Sequence, residues 1–431
     1  MESSEKTRSL SIFLILSIFI ILVTSSSPPS SAYARARSSK QSEDSVSGKT
    51  TLTRFEGPIY SQERLFEQES QLNLEDVSTP ALPSQSTTYG PQIFPEGINP
   101  LTGMKVEDPS LLERRPIAIK ITNYPRYVRP QSGLSLADNI YEYYLERGIT
   151  RFIAIYYGND ASKVGPVRSG RFFDEHIFRM YQSYFVFGSA DDRVMDYFLT
   201  LGQSIVNRFV LEQPDDRKQT CQSSIPTPLC RDRNIVSYNN LFANTQALTQ
   251  YLSERRSDNS RQDLTGMLFG DHLSPGETAG TQIDISYSRY INNRWIFDPN
   301  SDHYLRFEEA KNENPSSEQD FLPLFDKLTG EIIDADNVVI LYVPHRYYAK
   351  SPTDEVIQID LTASGQAYLF RDGYVYAGLW VRPSDGGVLQ LLGLNGEPLP
   401  LKPGVTFFEV VGRTTSLSID GERWGYAFNI P

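Results

Sequence analysis

The sequence predicts an α/β domain followed by a mainly β domain, and three observations support that fold class. Strand-like and helix-like segments alternate between residues 96 and 275, which is typical of layered α/β units. From residue 280 to residue 431, short extended segments separated by turn signals replace that alternation. The length of 431 residues exceeds one typical domain and leaves room for two folded units.

The first predicted domain begins with a strand over residues 116–123, where apolar residues alternate with polar or small ones. Ser135 is a favoured helix N-cap, Asp138 follows as a variant of the capping box, and Gly148 provides a stop, so the spacing predicts a helix over 135–146. Similar signals predict the other elements, which are strands over 150–157 and 183–188 and helices from 168–171 through 181, over 191–199 and between 244 and 256.

The second predicted domain follows the turn-rich stretch 274–280. Its apolar segments are short and rich in β-branched and aromatic residues, and Asp372-Gly373 and Asn395-Gly396 are strong tight-turn signals. The pattern predicts strands over residues 283–290, 293–297, 303–307, 337–343, 355–361, 365–371, 374–382 and 406–411.

The N-terminus has the order of features that is typical of an export signal. Lys6 and Arg8 precede an apolar run over residues 10–23, and a Ser/Pro-rich stretch follows. As a helix the run would span roughly 21 Å, which is less than the roughly 30 Å of hydrocarbon that an anchor crosses. Because Ala32-Tyr33-Ala34 has the small-x-small pattern of a cleavage site, residues 1–34 are predicted to be a signal peptide or a signal anchor. Either alternative makes the protein extracytoplasmic, secreted or anchored to the cytoplasmic membrane.

Residues 35–95 are predicted to form a disordered linker. Ser, Gln, Glu, Pro and Thr dominate this stretch, and it lacks sustained apolar periodicity. Such a composition buries too little apolar surface to offset the entropy lost on ordering. The folded part is therefore expected to begin at about residue 96.

Charge is unevenly distributed along the chain. The net charge of -12 argues against nucleic acid or an anionic bilayer as a partner of the protein as a whole. Between residues 114 and 171, however, ten basic residues stand against four acids, a local excess of +6. Strand-to-helix loops gather ligands in α/β domains, and guanidinium groups match carboxylate or phosphate. The predicted ligand-binding residues of this basic rim are Arg126, Arg129, Gln131, Ser132, Arg151, Arg168, Ser169 and Arg171.

The acids of the same region leave two alternatives open. In the first, the arginines pair inside the fold with Asp138, Glu142 and Glu146. In the second, Glu142 and Glu146, one turn apart on the predicted helix, are weak catalytic candidates that could act as acid or base on a glycan. One helix face does not by itself establish the opposed carboxylate pair that glycoside hydrolysis needs.

No cofactor and no metal site is predicted. A calcium-loop spacing does occur over residues 298–309, but His303 stands where that loop requires glycine, so a hairpin turn is predicted there. The sequence contains two cysteines, Cys221 and Cys230, both in the polar stretch 213–233. In an oxidising compartment they are predicted to form a disulfide that pins this insertion.

Seven motifs follow one another along the chain in a fixed order. They are NPLTG at 99–103, RPIAIKITN at 115–123, RPQSGLSLADNIYE at 129–142, GITRFIAI at 148–155, GPVRSGR at 165–171, GQAYLFRDGYVYAGLWVR at 365–382 and LKPGVT at 401–406. Together these motifs resemble the YerB family of bacterial cell-envelope lipoproteins. The resemblance implies a two-domain envelope protein and no assigned activity. The chain departs from the family's lipoprotein pattern because Ser25 and its neighbours stand where a lipid-bearing Cys would be expected.

These observations lead to a functional hypothesis. The protein is predicted to be a binding or accessory module that recognises an anionic wall polymer or an envelope protein through the basic rim. The alternative is an enzyme that remodels cell-wall glycan or peptide. The membrane is expected to be a partner only through the N-terminal segment, if that segment is not cleaved.

Overall fold

A sheet of eleven strands is the largest element of the protein, which is mostly β. We describe a computed structural model that covers residues 87–429 except 213–217, 256–257, 275, 277 and 311–319. The predicted signal and most of the predicted linker lie outside the described residues. Among the described residues, no helix has both the length and the apolar character needed to cross a bilayer.

The first part of the chain contains nine strands and four α-helices among its described residues. The strands are β1 (Thr88–Tyr89), β2 (Ile117–Thr122), β3 (Asn139–Tyr144), β4 (Thr150–Tyr156), β5 (Tyr184–Val186), β6 (Phe209–Val210), β7 (Leu229–Arg231), β8 (Leu241–Ala243) and β9 (Phe269–Gly270). The helices are α1 (Asp174–Met180), α2 (Asp192–Thr200), α3 (Gln203–Val206) and α4 (Thr245–Glu254), with short 3-10 turns at Pro109–Glu113, Arg126–Val128 and Leu134–Leu136.

The regular elements of the second part are strands among its described residues, and all eight that were predicted there are confirmed within a few residues. They and their neighbours are β10 (Thr278–Ala279), β11 (Gln282–Ser286), β12 (Asn292–Asp298), β13 (His303–Glu309), β14 (Phe321–Pro323), β15 (Asp334–Ala335), β16 (Asn337–Val343), β17 (His345–Lys350), β18 (Glu355–Ile359), β19 (Ala363–Arg371), β20 (Tyr374–Arg382), β21 (Gln390–Gly393), β22 (Thr406–Gly412), β23 (Ser416–Asp420) and β24 (Arg423–Ala427). Asp372 and Gly373 form the predicted two-residue hairpin between β19 and β20, both with positive φ.

The central sheet joins strands from both parts of the chain. Its order is β10-β20-β19-β16-β22-β3-β4-β2-β5-β6, with β21 paired to β20. Strand β22 lies between β16 and β3 and is parallel to both, with Thr406 opposite Asn139. The two stretches that the sequence predicts as separate domains therefore share one sheet, and all described residues belong to one compact unit.

The central sheet has a different layer on each face. Alternate residues of a strand point to opposite faces, so Tyr143 and Glu142 of β3 face different layers. Helix α1 covers the first face, where the rings of Tyr143 and Phe173 lie 4.5 Å apart. A second sheet of seven strands, in the order β14-β13-β12-β11-β24-β23 with β15 paired to β13, covers the other face. Trp295 of that sheet packs 4.8 Å from Phe407 of β22.

The predicted helix over residues 135–146 is wrong. Residues Asn139–Tyr144 form strand β3, because isoleucine and three tyrosines favour a pleated surface and β4 and β22 supply partners on both sides. Asp138 does not complete a capping box, and its carboxylate accepts hydrogen bonds from Asn99 Nδ2 at 2.6 Å and Tyr157 N at 2.5 Å. A residue from the second part, Asp326, instead binds Ser135 N at 2.8 Å.

Two further predictions agree with the structure only in part. The linker was predicted to extend to residue 95, but Thr88–Tyr89 pairs with Phe269–Gly270 and belongs to the folded unit. The α/β character predicted for the first domain is not clearly present, because its helices are short and its main strands join a sheet shared with the second part. The predicted disulfide between Cys221 and Cys230 is confirmed.

Candidate functional site

The two loops that carry most of the predicted ligand-binding residues lie side by side. Ser132 and Gly165 exchange two backbone hydrogen bonds of 3.0 Å, and Thr122 N donates to Pro166 O at 3.0 Å. These bonds hold residues 163–168 along the loop that follows β2. We call the combined surface of residues 123–133 and 163–171 the loop rim.

Arg126 and Arg129 of the loop rim point toward the second sheet. Arg129 Nη1 lies 2.7 Å from Glu309 Oε1 and its Nη2 lies 3.2 Å from Glu308 Oε2, while Arg126 Nε lies 3.1 Å from Glu309 Oε1. The side chain of Arg129 is only 9% exposed. The charges of both arginines are therefore neutralised within the fold, although by glutamates of β13 and not by the acids that the sequence suggested.

Gln131 and Ser132 are buried and have internal hydrogen-bond partners. Gln131 Nε2 donates to Thr122 O at 3.1 Å, and Ser132 Oγ donates to Lys163 O at 2.8 Å. The Ser132 side chain thus holds the two loops together, and the Gln131 side chain ties its own loop to the end of β2, so the structure gives both a positioning role and does not present them to solvent.

A second group of predicted residues lies on the face covered by α1. Arg171 pairs with Glu146, with Nε 2.9 Å from Oε2, and Arg151 Nη1 donates to Ser169 O at 2.6 Å. Burial and, to a smaller extent, the nearby Arg171 guanidinium lower the pKa of Arg151 to about 9. Glu146 has its pKa held below the usual range despite burial, because the Arg171 guanidinium stabilises the carboxylate.

Next to this pair lies a buried lysine. Lys120 Nζ is 3.0 Å from Asp174 Oδ1, and Tyr143 donates its hydroxyl hydrogen to the same oxygen at 2.5 Å. Burial lowers the pKa of Lys120 to about 7, while Asp174 opposes the fall and Arg151 adds to it. The lysine and Asp174 are both fully buried, so the cluster has no open path to a ligand in this structure.

Glu142, the other weak catalytic candidate, is fully buried between the two sheets. Its carboxyl group accepts hydrogen bonds from Asn123 Nδ2 at 3.0 Å and Asn293 Nδ2 at 3.1 Å, and it also contacts Arg306. Arg306 also pairs with Glu308 at 2.6 Å and with Glu409 at 2.9 Å, which places three carboxyl groups beside one guanidinium. Burial raises the pKa of Glu142 to about 8, with Arg306 opposing the rise and Glu409 adding to it.

Arg168 differs from the other arginines of the loop rim. Its guanidinium lies over the ring of Tyr238 at 4.7 Å, and its buried Nε atom has no hydrogen-bond partner among the described residues. Tyr238 and Tyr127 are 67% and 61% exposed, and Val236 is almost fully exposed. Ser169 lies beside them, with its hydroxyl 2.9 Å from that of Ser189. We call Tyr127, Arg168, Val236 and Tyr238 the tyrosine–arginine surface.

The aromatic part of this surface was missed by the sequence reasoning. Val236 and Tyr238 follow the disulfide-bonded segment, and Tyr127 is fixed beside them by hydrogen bonds to Ser237 Oγ at 2.9 Å and from Asn239 Nδ2 at 2.7 Å. No periodicity or motif distinguishes exposed tyrosines from the many buried ones in this chain. Beneath them a cleft of about 90 Å³ is lined by Tyr127, Val128, Arg129, Pro130, Pro166, Ile235, Asn239, Phe242 and Lys327.

Comparison with solved structures identifies a related fold. The crystal structure of the YerB protein from Bacillus subtilis matches with a TM-score of 0.56, covering 73% of this chain and 96% of that chain at 24% sequence identity. The chain is also 26% identical over 333 residues to the Bacillus subtilis (strain 168) protein named "Putative lipoprotein YerB", covering 74% of this chain and 88% of that protein.

Family models match two successive stretches of the chain. The N-terminal domain model of the "Protein of unknown function (DUF3048)" family matches residues 101–258, and its C-terminal domain model matches residues 283–408. These matches include the motifs on the loop rim and most of the strands of both sheets. The chain therefore belongs to the two-domain YerB family, DUF3048.

Proposed function

We infer that this protein is an accessory binding module of the bacterial cell envelope and that the tyrosine–arginine surface is its contact site. Two observations support the location. The N-terminal segment has the features of an export signal, and the Bacillus subtilis relative carries "lipoprotein" in its name. Because Thr and Ser, and no cysteine, directly follow the apolar run of this chain, attachment to the membrane would be through the N-terminal segment itself.

The main observation in support of this contact site is the environment of Arg168. Its neighbours at the surface are tyrosine rings, and its buried Nε lacks a hydrogen-bond partner among the described residues, whereas Arg126, Arg129 and Arg171 all pair with glutamates. Tyrosine and arginine supply most of the binding free energy in many interfaces, because both combine a large contact area with directed hydrogen bonds. Arg151 also lacks a glutamate partner, but it is buried. Arg168 is thus the arginine of the predicted rim that retains binding capacity at the surface.

An anionic group fits this surface best. A guanidinium stacked on an aromatic ring keeps its N–H donors in one plane, and that plane matches a carboxylate or phosphate. Exposed Lys327 lines the adjoining cleft and adds positive charge to the approach. We propose an anionic wall polymer as the partner, held by Arg168 and flanked by the two tyrosines.

Catalysis by Glu142 or Glu146 forms no part of this proposal. Glu142 is fully buried, and Glu146 is paired with Arg171. A general acid needs to reach the oxygen that it protonates, directly or through one water molecule. Glu142 has no exposed surface through which a glycan could reach it, and both carboxylate oxygens of Glu146 accept hydrogen bonds from Arg171.

Co-sedimentation with isolated cell walls tests the proposal. The purified full chain should pellet with the walls, and Arg168→Gln and Tyr238→Ala should each weaken that association by roughly tenfold, the loss expected for one charge-assisted contact or one interface anchor. Arg413→Gln is the matched control, because it removes an exposed positive charge outside this surface. Equal binding by all four proteins would contradict the proposal. Binding to envelope proteins but not to walls would identify a protein partner instead.

A further inference from the structure

A groove separate from the tyrosine–arginine surface is lined by four arginines of the described part of the chain. Its volume is about 980 Å³, which lies at the upper end of the range for small-molecule sites. The arginines come from different elements, namely the residue preceding β2 by two positions, the last turn of α1, the segment after α3 and the end of α4. They are Arg115, Arg179, Arg208 and Arg255, and we call this feature the arginine groove.

Two of these arginines are fixed by carboxylates. Arg115 pairs with Asp258 and donates to Gln182 O at 2.8 Å. Arg179 pairs with Glu175 at 2.7 Å and with Asp385 at 2.6 Å. Their guanidinium groups are therefore held in place, and they contribute oriented positive charge to the walls of the groove.

The other two have no such partners among the described residues. Arg255 lies over the ring of Tyr251 at 4.3 Å, and no carboxylate pairs with it. The guanidinium of Arg208 has neither an ion pair nor a hydrogen bond within the described part of the chain. Burial and, to a smaller extent, the positive charge of Arg115 lower the pKa of Arg208 to about 10, while Asp258 opposes the fall. Asp258 forms its ion pair with Arg115, so Arg208 lies beside like charge without an ion pair of its own among the described residues.

The remaining lining residues favour an oxyanion. Among the described lining residues Asp258 is the one acid, and it is already paired with Arg115. Ser204, Asn207 and Ser384 add neutral hydrogen-bond donors. Glu175 and Asp385 pair with Arg179 and do not line the groove. When they are counted with Asp258, three negative charges stand against the four arginines among the described residues. The local excess is +1, in a protein with a net charge of -12.

Ion pairing and helix ends explain only part of this arrangement. A cation at the C-terminus of a helix is favourable, and that accounts for the placement of Arg179 and Arg255. Helix α3, which precedes Arg208, has four residues and therefore offers little macrodipole. A half-buried guanidinium without a counter-charge is costly for the fold, and a bound anion would remove that cost.

We propose that the arginine groove binds a multiply charged phosphate compound, with Arg208 and Arg255 contacting the phosphate oxygens and Arg115 and Arg179 supplying fixed charge. Guanidinium forks match the tetrahedral oxygens of phosphate, and four of them in one groove exceed what a single carboxylate would require. This site shares no residue with the tyrosine–arginine surface and does not depend on the function proposed for that surface.

Isothermal titration calorimetry of the purified full chain with tripolyphosphate tests the site, with orthophosphate and succinate as comparison ligands. Tripolyphosphate should bind with one-to-one stoichiometry, more tightly than either comparison ligand, and less tightly as salt rises. Arg208→Gln should weaken binding roughly tenfold or more, as expected for a charge-assisted hydrogen bond. Arg255→Gln should also weaken it, whereas Arg413→Gln, outside the groove, should change it by less than about twofold.

Thermal unfolding of each variant separates loss of the site from loss of the fold. Arg208→Lys keeps the charge and loses the planar fork, so it should fold and bind with intermediate affinity. Arg255 is exposed at a helix end, and its variant should unfold at the wild-type temperature. Absence of tripolyphosphate binding by the wild-type protein would overturn the proposal. The proposal would also be overturned if Arg413→Gln and Arg208→Gln lost the same tripolyphosphate affinity. Binding of tripolyphosphate with wild-type affinity by both Arg208→Lys and Arg255→Gln would overturn it as well.

Discussion

Between pH 5 and pH 7, the free energy of unfolding of the Glu142→Gln variant should rise relative to that of the wild-type protein. The buried network between the two sheets contains four carboxyl groups, of Glu142, Glu308, Glu309 and Glu409, and three guanidinium groups, of Arg126, Arg129 and Arg306. Full ionisation would leave one uncompensated negative charge in a place that water hardly reaches. The network therefore retains a proton, and burial raises the pKa of Glu142 from its ordinary value of 4.5 to about 8.

The sign of the effect follows from proton binding. Between pH 4.5 and pH 8 the folded protein holds this proton, whereas Glu142 of the unfolded chain has released it. Stability from this group is therefore present below pH 4.5 and is lost as pH rises toward 8. One proton corresponds to at most about 1.4 kcal/mol per pH unit, so the wild-type protein should lose about 2 to 3 kcal/mol between pH 5 and pH 7 through this group.

Glu142→Gln removes that contribution because the amide does not titrate. It keeps the shape of the side chain and should lose one or two hydrogen bonds, at a pH-independent cost of about 1 to 2 kcal/mol. The expected result is a free energy of unfolding that, between pH 5 and pH 7, rises by about 2 to 3 kcal/mol relative to that of the wild-type protein. The pH-dependent part separates the proton from the lost hydrogen bonds.

Urea unfolding at pH 5, 6 and 7, with the m-value checked for constancy, measures this difference. Glu113→Gln is the control, since the Glu113 side chain is 65% exposed and its loss should leave the slope unchanged. Glu409→Gln shows whether the neighbouring carboxyl group holds the proton instead. If both Glu142→Gln and Glu409→Gln unfold with the pH dependence of the wild-type protein, the buried proton does not exist and the reasoning is refuted.

Three further predictions concern packing, the disulfide and the buried lysine. A Cβ on Gly365 would lie 2.5 Å from Trp380 Nε1, so Gly365→Ala should cost at least about 2 kcal/mol in urea unfolding, whereas Gly386→Ala, with nothing within 4 Å, should cost less than about 0.5 kcal/mol. The Cys221→Ser, Cys230→Ser double variant should lose about 2 to 3 kcal/mol of the free energy of unfolding in the same assay. If it is as stable as the wild-type protein, the disulfide-bonded segment does not unfold together with the core. Burial lowers the pKa of Lys120 in the folded protein to about 7. Above pH 7 the unfolded chain therefore binds more protons at this lysine than the folded protein does, and the contribution of this group to the free energy of unfolding rises from pH 7 to pH 9. In urea unfolding, Lys120→Met should flatten that rise. If the free energy of unfolding of the variant rises with pH as steeply as that of the wild-type protein, Lys120 is not the cause of the rise.

The candidate site could be predicted from the sequence only in part. The local basic excess led to loops that do lie side by side, and Arg168 belongs to them. The sequence could not reveal that Arg129 pairs with Glu309, which is 180 residues away, because ion pairs of this kind depend on which strands become neighbours. The same limit applies to the exposed tyrosines, because nothing in the sequence distinguishes them from the tyrosines that are buried in the core.

The error at residues 139–144 has a similar cause. Capping residues and a terminal glycine favoured a helix, but they are weak signals, and strand neighbours on both sides outweighed them. One of those neighbours, β22, lies more than 260 residues later, since Thr406 is opposite Asn139. No local pattern indicates that a strand from the end of the chain will enter the middle of a sheet.

The sequence by itself determined the features that depend on neighbouring residues. These include the strands after residue 280, the Asp372-Gly373 hairpin, the pairing of the two cysteines, the family motifs and the expectation of export. The tertiary structure alone decided the shared central sheet, the buried glutamate and arginine network, and the convergence of four arginines on one groove. The physical reason is that burial, charge neutralisation and strand pairing are set by residues brought together from distant parts of the chain.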